Sequence, residues 1–134
     1  MKRLIFSMLT LLLVVGLNGC SSNPKDTLQS SIEKYKDCMI DSDFQCVAKL
    51  TDPSLVETMG GINGFEKIMK SSGLTISAIN IKNIAQIKKD GNTLSSQITY
   101  SQIANMNGEK MTMDASFIAT SKDDGSSWFF TTQQ

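Results

Sequence analysis

An α+β fold, with N-terminal helices packed on a curved antiparallel sheet of about four strands, follows from three features of this sequence. Apolar residues recur at spacings of three and four up to Gly73, and beyond it they alternate and are rich in β-branched types. Three Xaa-Gly dipeptides, Asp90-Gly91, Asn107-Gly108 and Asp124-Gly125, then punctuate the second half at regular intervals, as hairpin turns do. At 134 residues the chain suits one domain, and with 40% hydrophobic and 19% charged residues it has the composition of a globular protein.

Asn23-Pro24 opens the first helix with a capping residue and a proline at the first helical position. Leu28, Ile32, Tyr35 and Met39 then mark its buried face. Ser42 or Asp43 caps a short second helix carrying Phe44, Val47, Ala48 and Leu50. Asp52-Pro53 starts a third that runs to Met59 and ends at Gly60-Gly61, and Phe65, Ile68 and Met69 predict a fourth that stops at Gly73. Leu74, Ile76 and Ala78 share one parity whereas Ile79 and Ile81 share the other, which predicts a strand bent by a bulge near Ala78 and Ile79. Leu94–Met106, Lys110–Thr120 and Trp128–Thr132 complete the meander.

Residues before this domain read as an address. Met1-Lys2-Arg3 is basic, and Leu4–Leu17 is almost wholly apolar but too short to cross a bilayer core of about 30 Å, so residues 1–19 read as a secretory signal. The segment ends Leu17-Asn18-Gly19-Cys20, which resembles the bacterial lipobox. That resemblance implies cleavage before Cys20, a diacylglycerol on its thiol and an acyl chain such as palmitate on the new amine. Ser21 stands where, in the enterobacterial sorting rule, an aspartate retains lipoproteins in the inner membrane, so the resemblance implies the outer membrane, facing the periplasm. The alternatives are an ordinary secretory signal with an unrelated cysteine, and a membrane-anchored first helix. Residues 20–24 then form the lipidated cysteine and its tether, and 25–134 the single domain.

Removing Lys2 and Arg3 from the 13 basic residues leaves 11 against 13 acidic ones, so the mature chain is slightly acidic. Arg3 is also the sole arginine, and the remaining lysines are dispersed among acids, which argues against nucleic acid as a partner. No histidine is present. Triad catalysis and the commonest metal ligand are thereby excluded, and no G-x-x-x-x-G-K phosphate loop occurs.

Cys38 and Cys46 flank the expected break between the first two helices, where an αα-hairpin brings the chain back on itself. In an oxidising periplasm they are expected to form a disulfide. The alternatives are a metal site, which without histidine needs carboxylate ligands, and a redox pair, which the spacing disfavours because it is not Cys-x-x-Cys.

Several stretches resemble the nuclear transport factor 2-like superfamily, which includes ketosteroid isomerases. Asp41-Ser42-Asp43-Phe44 is similar to that family's short turn between its first two helices. Gly61-Ile62-Asn63-Gly64-Phe65-Glu66-Lys67-Ile68 is similar to its glycine-started third helix, and Asp123-Asp124-Gly125-Ser126-Ser127-Trp128-Phe129-Phe130 to its final hairpin. Cystatin-like and other α+β domains are the alternatives. The resemblance implies a cone of helices over a concave sheet, with a candidate pocket lined by Tyr35, Met39, Phe65, Met69, Tyr100, Phe117 and Trp128. The competing reading is that these large side chains simply fill a small core. Met106, Met111 and Met113 read likewise, as adaptable packing first and a flexible apolar ligand site second.

Isomerase chemistry in such a pocket requires a carboxylate base facing a tyrosine or protonated acid. Asp114 and Tyr100, on adjacent expected strands, are the one nominated pair, with Glu66 a further acid to place. The parity of Met111, Met113, Ala115 and Phe117 sets that apolar row inward and turns Asp114 to solvent. The expectation is therefore a non-catalytic binding or structural module, without cofactor or metal. Its alternatives are a carrier of a small apolar ligand and an isomerase-like enzyme. Candidate partners are the membrane through the lipid anchor, an envelope protein, a small apolar ligand, or a second copy of the chain if Ile98, Ile103 and Ile118 lie exposed on the open sheet face.

Overall fold

The computed structural model describes residues 23–132. The segment expected to be a signal sequence, Cys20 and the start of the expected tether lie outside the described residues. Among the described residues no helix is long and apolar enough to cross a membrane.

Four helices come first. The α1 helix spans Pro24–Ile40, and the Asn23 side chain accepts a hydrogen bond from the Lys25 amide at 3.0 Å, satisfying one of the donors that a helix start leaves free. In α2, Phe44–Leu50, the cap is Asp43, which accepts from the Cys46 amide at 3.1 Å, while Ser42 takes a left-handed conformation in the turn. Asp52 caps α3, Pro53–Thr58, through the Ser54 amide. The α4 helix, Gly61–Ser71, enters through Gly60 at φ +92° and packs closely on the end of α3. A Cβ at Gly64 would stand 2.2 Å from the Met59 carbonyl oxygen.

Cys38 and Cys46 are bonded, with Cα atoms 5.8 Å apart, and join the end of α1 to the start of α2. Closing a loop of this length stabilises the fold by about 2.6 kcal/mol through the lost freedom of the unfolded chain.

The sheet has five strands: β1 Leu74–Ile84, β2 Lys88–Asp90, β3 Thr93–Met106, β4 Glu109–Ser121 and β5 Phe129–Thr132. The main order is β1-β3-β4-β5, all antiparallel, and β2 pairs the start of β3. The fifth strand beyond the four expected from sequence is β2, which resumes the line of β1 along the same edge of β3 after a break at Ala85–Ile87. The register of β1 slips twice, between Ile76 and Ala78 and between Ile81 and Asn83. The first slip accounts for the parity switch legible in the sequence, but the extra residue is Ser77, and Ala78 already belongs to the outer row. Each slip bends and twists the strand, which curls the sheet around the helices.

Asn107 and Gly108, at φ +54° and +84°, make the two-residue β3–β4 turn. Asp124-Gly125 behaves differently. It sits inside a seven-residue loop, Lys122–Trp128, organised by the Asp123 carboxylate, which accepts hydrogen bonds from Ser121 Oγ, Ser127 Oγ and the Ser127 amide. Those donors, Ser127 first, hold Asp123 at about 2, below the usual carboxylate range.

The concave face carries the core in two clusters. Phe44, Val47, Val56 and Phe65 pack with Ile76, Ile79 and Ala104 beneath α2–α4. Leu28 and Ile32 of α1 pack with Ile98, Phe117, Trp128 and Phe130. Tyr35, Leu50, Ile81 and Tyr100 touch both. On the convex face Lys82 pairs with Asp114 at 2.7 Å, and both side chains are at least half exposed, so the pair contributes little beyond about 1 kcal/mol. Of the isoleucines considered for a dimer face, Ile98 is fully buried in the core, leaving Ile103 and Ile118 half-buried outside. Met106 and Met111 are exposed at the β3–β4 tip, not packed, whereas Met113 rests against the core.

Where α1 begins, it is locked to the last loop. Trp128 Nε1 donates to Thr27 Oγ1 at 3.1 Å, and Thr27 Oγ1 donates to the Gly125 carbonyl. Gly125 has φ +86°, and a Cβ there would stand 2.6 Å from Pro24. Gly125→Ala is therefore expected to destabilise the protein by at least about 1–2 kcal/mol, from the left-handed backbone alone, before the Pro24 clash is added. Urea unfolding monitored by far-UV circular dichroism checks this.

Candidate functional site

The feature that joins α1, the short helices and the sheet is a cavity of about 380 Å³ opening where they diverge. Six of the seven residues nominated from sequence line it: Tyr35 and Met39 from α1, Phe65 and Met69 from α4, Tyr100 from β3 and Phe117 from β4. The seventh, Trp128, does not. It precedes β5 and is buried against α1, where its indole N–H is bonded to Thr27. Phe130, two residues on, takes the place expected for it.

Aromatic rings form the floor. Phe117 lies at the centre, with ring centroids 5.4 Å from Tyr35, 5.1 Å from Tyr100 and 4.9 Å from Phe130, the last edge-on. Tyr35 and Phe130 close the group at 5.0 Å. Such tilted and edge-on pairs suit the ring quadrupoles and hold the floor rigid. Met59, Met69 and Met39 supply the flexible part of the wall.

Sequence reasoning missed Gln102, Thr51, Val47, Leu55 and the β5 threonines, which also line the space. Gln102 was accessible by alternation, since it lies two residues beyond Tyr100 on the same strand face. Thr51 was not. It reaches the site because the chain after α2 bridges to Phe130, with the Asp52 amide donating to the Phe130 carbonyl at 3.0 Å. The Thr51 hydroxyl is turned back to the Val47 carbonyl at 2.8 Å.

The polar groups that remain in the wall are chiefly the two phenols and the Gln102 amide. Burial pushes the Tyr35 hydroxyl well above its ordinary range, and the neighbouring Tyr100 raises it further by opposing a second negative charge. Burial also raises Tyr100. Both are neutral at ordinary pH and present an O–H that can donate or accept.

Among the described residues no carboxylate or amine lines the cavity. Asp114 and Tyr100, the nominated acid–base pair, stand on opposite faces of the sheet: Tyr100 pairs in register with Ala115, and Asp114 is held outside by Lys82. Glu66 lies on the outer side of α4, where hydrogen bonds from Lys70 and Gln45 lower its pKa. Among the described residues there is no cluster of three or more His, Cys, Asp or Glu that could hold a metal.

No family model matches this chain, and no curated protein matches it significantly. Solved structures do. An NTF2-like protein of unknown function from Prochlorococcus sp. NATL2A superposes with a TM-score of 0.58 over 84% of this chain and 94% of its own, at 15% identity. This chain has the nuclear transport factor 2-like fold. An NTF2-like protein with a cystatin-like fold from Novosphingobium aromaticivorans matches at a TM-score of 0.52 and 10% identity, over 80% of this chain and 77% of its own. The two fold names held apart in the sequence reading thus meet in one architecture, and at these identities it is the architecture alone that is shared.

The raised tyrosine pKa values carry a sign for stability. Above the unfolded-state value of about 10 the unfolded chain has lost phenolic protons that the folded chain keeps, so stability falls as pH rises; below it these groups contribute no pH dependence. The melting temperature is expected to drop more steeply between about pH 10 and pH 11 in the wild type than in Tyr35→Phe. Thermal scans across that range check it.

Proposed function

We propose that this chain is a non-catalytic binding module, tethered by lipid at Cys20 to the outer membrane and facing the periplasm, whose cone cavity takes a small, neutral, mainly apolar ligand. The observation that carries the ligand class is the wall itself: among the described residues it offers aromatic rings and methionines, two un-ionised phenols, an amide and threonines, and no charged side chain. A charged ligand would lose its hydration there without gaining a counter-charge, whereas an apolar one with a single hydroxyl or carbonyl gains both burial and a hydrogen bond. The volume lies at the small end of the range for ligand sites. The tether reading rests on Leu17-Asn18-Gly19-Cys20 and the short apolar run before it.

The neutral fluorophore N-phenyl-1-naphthylamine, apolar with one N–H, is a suitable probe. It is expected to bind one per chain, and Met69→Trp, which fills the cavity, is expected to weaken binding at least about tenfold, close to 1.4 kcal/mol. Equal binding by wild type and Met69→Trp, with far-UV circular dichroism unchanged, contradicts the assignment.

For the tether, metabolic labelling with an alkyne-tagged fatty acid is expected to mark the wild type and leave Cys20→Ser unmarked. A labelled Cys20→Ser chain places the acyl group elsewhere, and an unlabelled wild type removes the anchor.

A further inference from the structure

Next to the first turn of α1 lies a second concavity, of about 520 Å³, quite apart from the cone. Leu28 forms its buried floor, and Ile84 at the end of β1 forms one side together with Ala85 and Ile87 of the break that follows, Ile87 being half-buried against the core. Lys25, Gln29 and Gln86 complete the lining, so among the described residues its single charge is an ammonium and no carboxylate lines it. Ile84 is 38% exposed, so an apolar side chain is open to contact at the rim of this groove. Lys89 lies on the same sheet face, since it pairs in register with Leu94, a core residue.

The position of this groove along the chain is what gives it meaning. Lys25 is two residues beyond Asn23, and three peptide links, at most about 11 Å, separate Asn23 from Cys20. The Asn23 cap and the Thr27–Gly125–Trp128 contacts hold the start of α1 firmly to the body of the domain. If Cys20 carries acyl chains, the bilayer surface therefore lies within one short tether of the groove.

We propose that this groove is the membrane-docking surface of the protein: Ile84 and Ile87 enter the boundary between headgroups and acyl chains, and Lys25 and Lys89 meet lipid phosphates. The occupant is the bilayer that holds the protein's own anchor. Docking would add apolar burial and phosphate contacts to the anchoring by the acyl chains. It would also set the orientation of the domain. Leu74 and Ile84 stand at opposite ends of β1, roughly 30 Å apart, so α4 and the exposed methionines of the β3–β4 tip would point away from the membrane.

This inference rests on the lipid anchor proposed above, and the test separates the two. The mature lipidated protein is reconstituted in vesicles of phosphatidylethanolamine with a minority of phosphatidylglycerol, some carrying dibrominated acyl chains. Tryptophan is placed at Ile84→Trp, at Ile87→Trp and, at the far end, Ser71→Trp, and the emission added over that of Trp128 is read. An apolar side chain lying roughly 5–10 Å into the interface is expected to lose at least about half of its added emission to the brominated lipid at both groove positions, with Ser71→Trp unaffected. Equal quenching at all three sites, or none at Ile84→Trp and Ile87→Trp while the protein floats with the vesicles, overturns the docking and leaves the anchor standing. Failure of the wild type to float with the vesicles overturns both.

Discussion

One threonine hydroxyl ties the two ends of the domain together. Thr27, in the first turn of α1, accepts the Trp128 indole proton and passes its own to the Gly125 carbonyl, while Pro24 packs onto Gly125 too closely for any side chain there. A buried indole N–H without a partner is costly, so Trp128 can be buried here only with α1 in place. This contact sets where α1 starts across the concave sheet. Its later turns then carry Tyr35 and Met39 over Phe117 and Phe130, where the cavity forms. Because the same contact fixes the first described residues, it also decides which end of the domain lies nearest Cys20.

The second constraint is the bend of the sheet. The extra residues Ser77 and Lys82 in β1 shift its rows relative to β3, so that Ile76, Ile79 and Ile81 all meet the helices although they do not share one parity. A flat sheet under four helices would meet them along one plane. A curled one leaves the helices spread over a concave floor, and the short α2–α4 segments pinned by the disulfide and by Gly64 cannot fill all of it. The residual space is lined by the aromatic residues that a small core requires for its own stability. The side chains that pack the core, Tyr35 and Phe117 among them, are thus also the ones that border the cavity.

Much of this was legible in the residues because the signals are local. Caps at Asn23, Asp43 and Asp52, the proline starts and the left-handed turn at Asn107-Gly108 each report a backbone need that only a few residue types meet. The third Xaa-Gly pair misled because its geometry is governed by the Asp123 side chain, whose bonds to Ser121 and Ser127 turn a two-residue turn into a longer loop. That loop explains why Trp128 lies outside the strand and away from the cavity in which the family resemblance had placed it. The short β2 escaped notice because three polar residues, Lys88, Lys89 and Asp90, form a strand only when the edge of β3 is there to pair with them.

By itself the sequence determined the order and type of the elements other than β2, the expectation that Cys38 and Cys46 meet across the first helix break, and the outward turn of Asp114, since each follows from spacing or alternation within a few residues. Tertiary structure alone decided which aromatic rings meet, that Phe130 and not Trp128 borders the cavity, and that Thr51 shares it with Tyr35. Those outcomes depend on a helix held in place by a contact between distant parts of the chain, and the parity switch legible in β1 shows that the sheet bends without showing which residues the bend brings together.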